Sequence, residues 1–223
     1  NRRRTLIVML AMGLGLGLLI FYDGFIEGAA QAIFGNAVRL QGGNIQIHAP
    51  GYREKYQRMP LLPLANADDV IQAALAQPGV MSASRRINTG GIASNREGTF
   101  SISITGIEPE AEASYSLIAE NISAGRFLRG DDLDYVLIGE GLAEEMNVGV
   151  GARIIVTGRG AHEQMRRRTM TVAGIYSIGL TAIEKQAVYI SLKEAQGLFR
   201  LREQATEVIV ALENVGEEEG VLP

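Results

Sequence analysis

The chain has 223 residues, 47% of them hydrophobic, with no cysteine and a net charge of −4. That length holds one large domain or two small ones, and an ordinary apolar share excludes a polytopic bundle as the whole. The missing cysteines exclude disulfides and thiolate chemistry, and the acidic balance argues against a nucleic-acid binder, whose phosphate contacts need clustered Lys and Arg.

The charge is polarised. Setting aside the three positives of Arg2, Arg3 and Arg4 leaves −7 on the rest (−4 less 3). Directly after them, Thr5 to Tyr22 reads TLIVMLAMGLGLGLLIFY without a charge, about 27 Å of helix, close to the thickness of bilayer hydrocarbon. Thr5, Leu6, Ile7, Phe21 and Tyr22 bound this span, with Tyr22 as an interfacial aromatic, and Asp23 and Glu27 follow. The arginines predict a cytoplasmic amino terminus. No small-x-small site precedes a polar start, so the segment reads as a retained span rather than a cleaved signal. Gly13, Gly15 and Gly17 lie inside it, where no strand precedes them, which excludes a nucleotide loop. Either close approach of another helix or the ordinary frequency of glycine in membrane helices accounts for them.

Beyond the span, Phe25, Ile26, Ala29, Ala30, Ile33 and Phe34 continue the helical period, predicting a stalk helix to Leu40 that Gly42-Gly43 stops. Asn44 to His48 alternates as a strand. Asn66 reads as the N-cap of a helix to Gln77, Pro78-Gly79 ends it, and Val80 to Arg86 reads as a strand, giving one β-α-β unit. A second unit runs from the strand Ala187–Ile190 through a helix capped by Ser191 to an alternating strand Thr206–Leu212. Between them, the strand Phe100–Thr105 leads into a middle region where Val136–Ile138, a helix Glu140–Met146, Arg153–Thr157 and Thr169–Tyr176 predict a small β-rich subdomain or partial barrel. The fold class is α+β. Its expected parts are residues 1–40 as span and stalk, 41–107 with 185–215 as one subdomain, 108–184 as the β-rich one, and 216–223 as a linker.

A chemical site is hard to assemble from these residues. His48 and His162, the two histidines, have no second ligand at metal-like spacing and read as satisfied or solvated. Gly139-x-Gly141 lacks the Lys and Ser/Thr of a phosphate loop, and no G-x-S-x-G occurs. Asp131-Asp132 and Glu144-Glu145 read as a turn and a solvated helix face. The stretch Gly158 to Arg168 reads as a hairpin whose Arg159, His162, Arg166, Arg167 and Arg168 meet a partner or anionic lipid, or simply stay solvated.

In order and spacing, "GGNIQIHAPGY", "ITGIEPE", "ISAGRFL", "VLIGEGLAEEMNVGVGARIIVTG", "TVAGIY" and "AVYISLKEAQGLF" resemble the periplasmic core of MacB-like ABC transporter permeases. That superfamily includes macrolide-exporter, lipoprotein-releasing and FtsX-like permeases. The resemblance implies a bacterial inner-membrane permease subunit with its large domain on the periplasmic side, three more spans beyond Pro223, and a second permease chain as partner. It implies a non-catalytic chain without a cofactor of its own, ATP and magnesium being held by a partner ATPase. ATP-driven movement of the spans would then drive export or release outside the membrane, or, in an FtsX-like alternative, activate an external cell-wall hydrolase. The Gly158–Arg168 stretch is shorter than the carrier-recruiting hairpin of one lipoprotein-releasing type and lacks its proline.

Overall fold

The computed structural model describes residues 2–55, 59–161 and 164–212. They form two units, residues 1–38 and the remainder from Arg39. The first is most of α1 (Arg2–Gln41), a helix of 40 residues without proline. Its stretch Arg2–Ile26 has a mean hydropathy of 2.3, none of it buried in the protein, and is long and apolar enough to cross a membrane.

The second unit runs β1 (Ile45–His48), α2 (Tyr52–Lys55), α3 (Ala67–Leu75), β2 (Val80–Ser94), β3 (Thr99–Ile107), α4 (Pro109–Glu112), α5 (Leu117–Glu120), β4 (Ile122–Gly125) and β5 (Tyr135–Gly139). It continues with α6 (Glu140–Met146), β6 (Arg153–Arg159), β7 (Met165–Tyr176), α7 (Thr181–Glu184), β8 (Ala187–Ser191), α8 (Leu192–Phe199) and β9 (Glu207–Leu212). The fold is mixed α+β with an amino-terminal apolar helix, as the sequence predicts.

Both β-α-β units are present, but their strands are not neighbours. β1 and β2 each run antiparallel to β9, which lies between them, so they are parallel to each other across it. β8 and β9 are likewise parallel, separated by β2 and β3. Local periodicity announces each strand and helix, whereas the strands inserted between them come from eighty or more residues away.

Strand pairing also closes a ring of six strands, β2–β3–β8–β5–β7–β6 and back to β2. Three of these strands come from the expected flanking subdomain and three from the expected β-rich one. Their inward residues, among them Ile87, Ile104, Val136, Ile154, Met170 and Val188, form one buried cluster, joined by Leu142 and Met146 of α6 and Leu198 and Phe199 of α8. The boundaries expected at residues 107/108 and 184/185 therefore do not part the core. Burying the inner face of either half requires the other.

β2 is 15 residues long and does not stop at Arg86. Gly90-Gly91 resembles a break but lies inside the strand, because a Cβ on Gly91 would run into Ile104 and the carbonyl of Thr157. Asn66 stands at the N-cap of α3 without a side-chain capping bond, while Ser191 does cap α8, its hydroxyl accepting from the Glu194 amide at 3.1 Å. Finally, β9 does not alternate in exposure; all six of its residues are buried. It is the middle strand of β1–β9–β2, with Val208, Val210 and Leu212 in the apolar cluster beneath α3, while on the opposite face Glu207 stands between His48 and Arg86.

β2 thus has two halves. Its first half belongs to the three-stranded sheet and its second to the ring, so one strand joins the polar face of the sheet to the apolar core.

Candidate functional site

Where α1 ends, the chain must turn sharply and lie flat on the sheet. Gly42 does this at a φ of +85°, a conformation that side chains disfavour, and a Cβ there would collide with the guanidinium of Arg86. The Asn44 amide donates to the carbonyl of Val210 at 2.9 Å, and the Asn44 side chain accepts from the Leu212 amide at 2.9 Å. Together these contacts fix the chain between helix and β1 against β9.

Beneath this turn, strand register sets His48, Glu207 and Arg86 in one row across β1, β9 and β2. Residues in one row share a face. Arg86 is 6% exposed and its partner Glu112, from α4, is 1% exposed. Arg86 Nε donates to Glu112 Oε1 at 2.7 Å, and Nη2 makes a second bond to Glu112 Oε2. The Ser84 hydroxyl donates to Glu112 Oε1 at 3.2 Å and lies 3.5 Å from the Tyr115 hydroxyl. Arg39, in the last turn of α1, donates from Nε to the Tyr115 carbonyl at 3.1 Å and pairs with Glu120 at 2.5 Å. Leu40 packs on the second apolar cluster, beside Ile107, Ile118 and Tyr189. A fork-to-fork Arg–Glu pair, sealed from water, therefore sits where the helix end meets the sheet.

The electrostatics follow from burial. For Arg86 burial alone would favour the neutral form, but the charge and hydrogen bonds of Glu112 outweigh it, and Arg86 is held above its ordinary range. Burial, with the Glu112 charge added, pushes the Tyr115 hydroxyl up to about 12. Burial pushes the Glu207 carboxyl up to about 7, only partly opposed by Arg86. His48 is lowered by burial. Its ring stacks on Tyr52 with centroids 3.8 Å apart and planes 3° from parallel, and its Nδ1 lies 3.4 Å from Glu207 Oε2. His48 is thus largely covered, held between Tyr52 and Glu207. Among the described residues no group of three or more His, Asp or Glu side chains is placed to hold a metal ion.

Thr5, Leu6, Ile7, Phe21 and Tyr22 are exposed on α1. At 100° per residue Gly13 and Gly17 share one side of the helix, joined by Gly24, Gly28 and Gly35 at spacings of four and seven, while Gly15 lies opposite. The arginine-rich stretch is less of a loop than expected. β6 extends into it as far as Arg159, and β7 begins in it at Met165. Arg159 ends β6, and Arg166, Arg167 and Arg168 lie within β7, not at a tip. Arg168 faces inward and pairs with the buried Glu194 at 3.0 Å and with Asp134 at 3.4 Å. Arg166 bonds Gln164 at 2.8 Å, and Arg167 is exposed. His162 lies outside the described residues. Asp132 of the acidic turn accepts two bonds from Arg126, both at 2.7 Å, and Glu145 pairs with Lys185 at 2.8 Å.

Sequence reasoning missed Arg86, Glu112, Tyr115 and Glu207. A signal existed: Arg85-Arg86 in an alternating strand puts an arginine on each face, and an arginine on a covered face needs a carboxylate. Nothing local says which carboxylate.

The family model for the MacB-like periplasmic core domain matches residues 5–220. Two solved structures share the fold. The extracellular domain of the noncanonic ABC-type transporter YknZ from Gram-positive bacteria is 15% identical, with a TM-score of 0.55 over 79% of this chain and 86% of that one. The periplasmic region of MacB from Actinobacillus actinomycetemcomitans is 14% identical, with a TM-score of 0.54 over 78% of this chain and 76% of that one. No curated protein sequence matches the chain. The class is thus an α+β domain of a strand ring joined to a three-stranded sheet, following an apolar helix long enough to cross a membrane. The chain belongs to the MacB-like periplasmic core domain family of ABC transporter permeases.

Proposed function

We propose that the chain is a transmembrane permease subunit that couples ATP hydrolysis by a cytoplasmic partner to export or release on the outer side of a bacterial inner membrane. The chain itself is non-catalytic and holds no cofactor. ATP and magnesium belong to the ATP-binding subunit, and a second permease chain completes the membrane part. The observation that supports this reading is the locked turn at Gly42 over the buried Arg86–Glu112 pair. It ties the last turn of α1 to β2, and β2 continues into the six-stranded ring. A shift of the helix end is then carried by a strand rather than absorbed by a loop. An external partner protein would meet the β6–β7 connection and its flanks, at Arg159, His162, Arg166 and Arg167.

The test is purification of the tagged full-length chain from membranes in mild detergent. The reading expects an ATP-binding protein to co-purify, with ATPase activity in the complex and two copies of the permease chain or of a homologue. Recovery of the chain alone under conditions that preserve other membrane ATPase complexes would overturn it.

A further inference from the structure

The buried row beside Gly42 contains two groups that the ion pair does not use, His48 and Glu207. Glu207 is 4% exposed, and it lies at the same register as His48 on β1 and Arg86 on β2. Arg86 is committed to Glu112 through two hydrogen bonds. The His48 side chain is held by its stack on Tyr52 of α2, and Nδ1 points to Glu207 within 3.4 Å without a hydrogen-bond partner of ordinary geometry. Among the described residues, Arg86 from β2 and Glu112 from α4 act on Glu207, Tyr52 from α2 stacks on His48, and Tyr189 from β8 and Tyr115 lie beyond, beside Arg86 and Glu112. Arg53 and Glu54 of α2 are exposed.

We propose that His48 and Glu207 share one proton and act as a pH-dependent latch fastening β1, and through Gly42–Asn44 the end of α1, to the central strand β9. This rests on the reading of that turn as a mechanical joint and adds its regulation. The external compartment is the one whose pH this latch would sense. In mildly alkaline solution the neutral imidazole donates its single N–H to the Thr206 backbone, so the Nδ1 lone pair faces the buried carboxylate without a proton between them, and the contact is loose. As pH falls the pair takes up one proton, and whichever group holds it, an N–H or O–H can be donated across the gap. The contact between β1 and β9 tightens. A second proton leaves a charged imidazole beside a neutral acid, both buried, which opposes the contact again. The joint is firmest at weakly acidic pH.

The experiment is a titration of the full chain in lipid nanodiscs with 13C-labelled histidine, followed by NMR. The chain has two histidines, and His162→Gln leaves the His48 signal alone. The latch predicts two inflections for His48, the upper near pH 7, and loss of the upper one in Glu207→Gln. A single inflection at the same pH in both proteins would overturn it. Should Glu207→Gln fail to fold, hydrogen exchange of the Ile45–His48 amides, normalised to intrinsic rates, serves instead. Protection at pH 6 should exceed that at pH 8 at least threefold in the wild type, and should be the same at both pH values in His48→Gln. An equal pH dependence in the variant contradicts the latch. Neither readout involves an ATPase, so a failed latch and a failed transport assignment are told apart.

Discussion

Arg86 and Glu112, 26 residues apart, form an ion pair almost sealed from water directly beneath Gly42, where the first helix ends. Such a pair is costly to bury and costlier to halve. Its retention at a covered position fits a joint that needs one fixed geometry more than it needs stability.

Removing one partner should therefore destabilise strongly. Arg86→Met or Glu112→Gln should each cost about 3–5 kcal/mol, read by denaturant unfolding of the purified chain. The double replacement Arg86→Met with Glu112→Leu should recover most of that loss. Single replacements costing under about 1 kcal/mol would show the pair to be solvated.

Gly42 and Gly51 provide a controlled comparison, since both have a φ of +85° but only Gly42 has a neighbour in the space of a Cβ. Gly51→Ala should cost about 1 kcal/mol from backbone strain alone. Gly42→Ala should cost clearly more, because the Arg86 guanidinium must move off Glu112. Equal costs would mean that Arg86 relocates freely.

Stability should vary with pH in a stated direction. Glu207 is raised to about 7, so its contribution is full below the ordinary carboxylate range and is lost as pH rises through about 7. His48 is lowered, so its contribution is present above the ordinary histidine range and is lost as pH falls through its depressed value. The melting temperature should accordingly pass through a maximum at weakly acidic pH, and Glu207→Gln should flatten the alkaline side. A wild-type curve that rises through pH 7 to 8 would contradict this.

Much of the local structure was legible. The helix Glu140–Met146 and the strand entering at Ile45 follow from periodicity, and Ser191 caps α8 because a hydroxyl before a helix has an amide to accept from. What stayed hidden is non-local. Gly90-Gly91 looks like a break until Ile104 and Thr157 are known to press on that strand. The six-stranded ring depends on β6 meeting β2, over sixty residues earlier. The site was hidden for the same reason: Arg86, Glu112 and Glu207 come from a strand, a short helix and a distant strand, and no spacing connects them. The arginines around the β6–β7 connection were visible as a cluster, yet strand register splits them, turning Arg168 inward to Glu194 and Arg167 to solvent.

The glycine side of α1 makes a separate prediction about assembly. If a second permease helix packs there, Gly17→Leu and Gly24→Leu should lower chain–chain proximity in membranes, measured by energy transfer, several-fold. Gly15→Leu, on the opposite side, should leave it unchanged. Equal effects from all three would remove the glycine side from the interface.

The central claim is that movement of the helix end reaches the external domain through the rigid turn at Gly42. Its most direct test is insertion of four glycines between Gly42 and Gly43 in the full-length protein, with the same insertion after Gly160 as control. The cell then reports whether the defect of a deletion strain, in drug sensitivity, lipoprotein sorting or cell separation, is restored. The Gly42 insertion should assemble and hydrolyse ATP at a rate near the wild type yet fail to restore the defect, while the control restores it. Full restoration by the Gly42 insertion would contradict the claim.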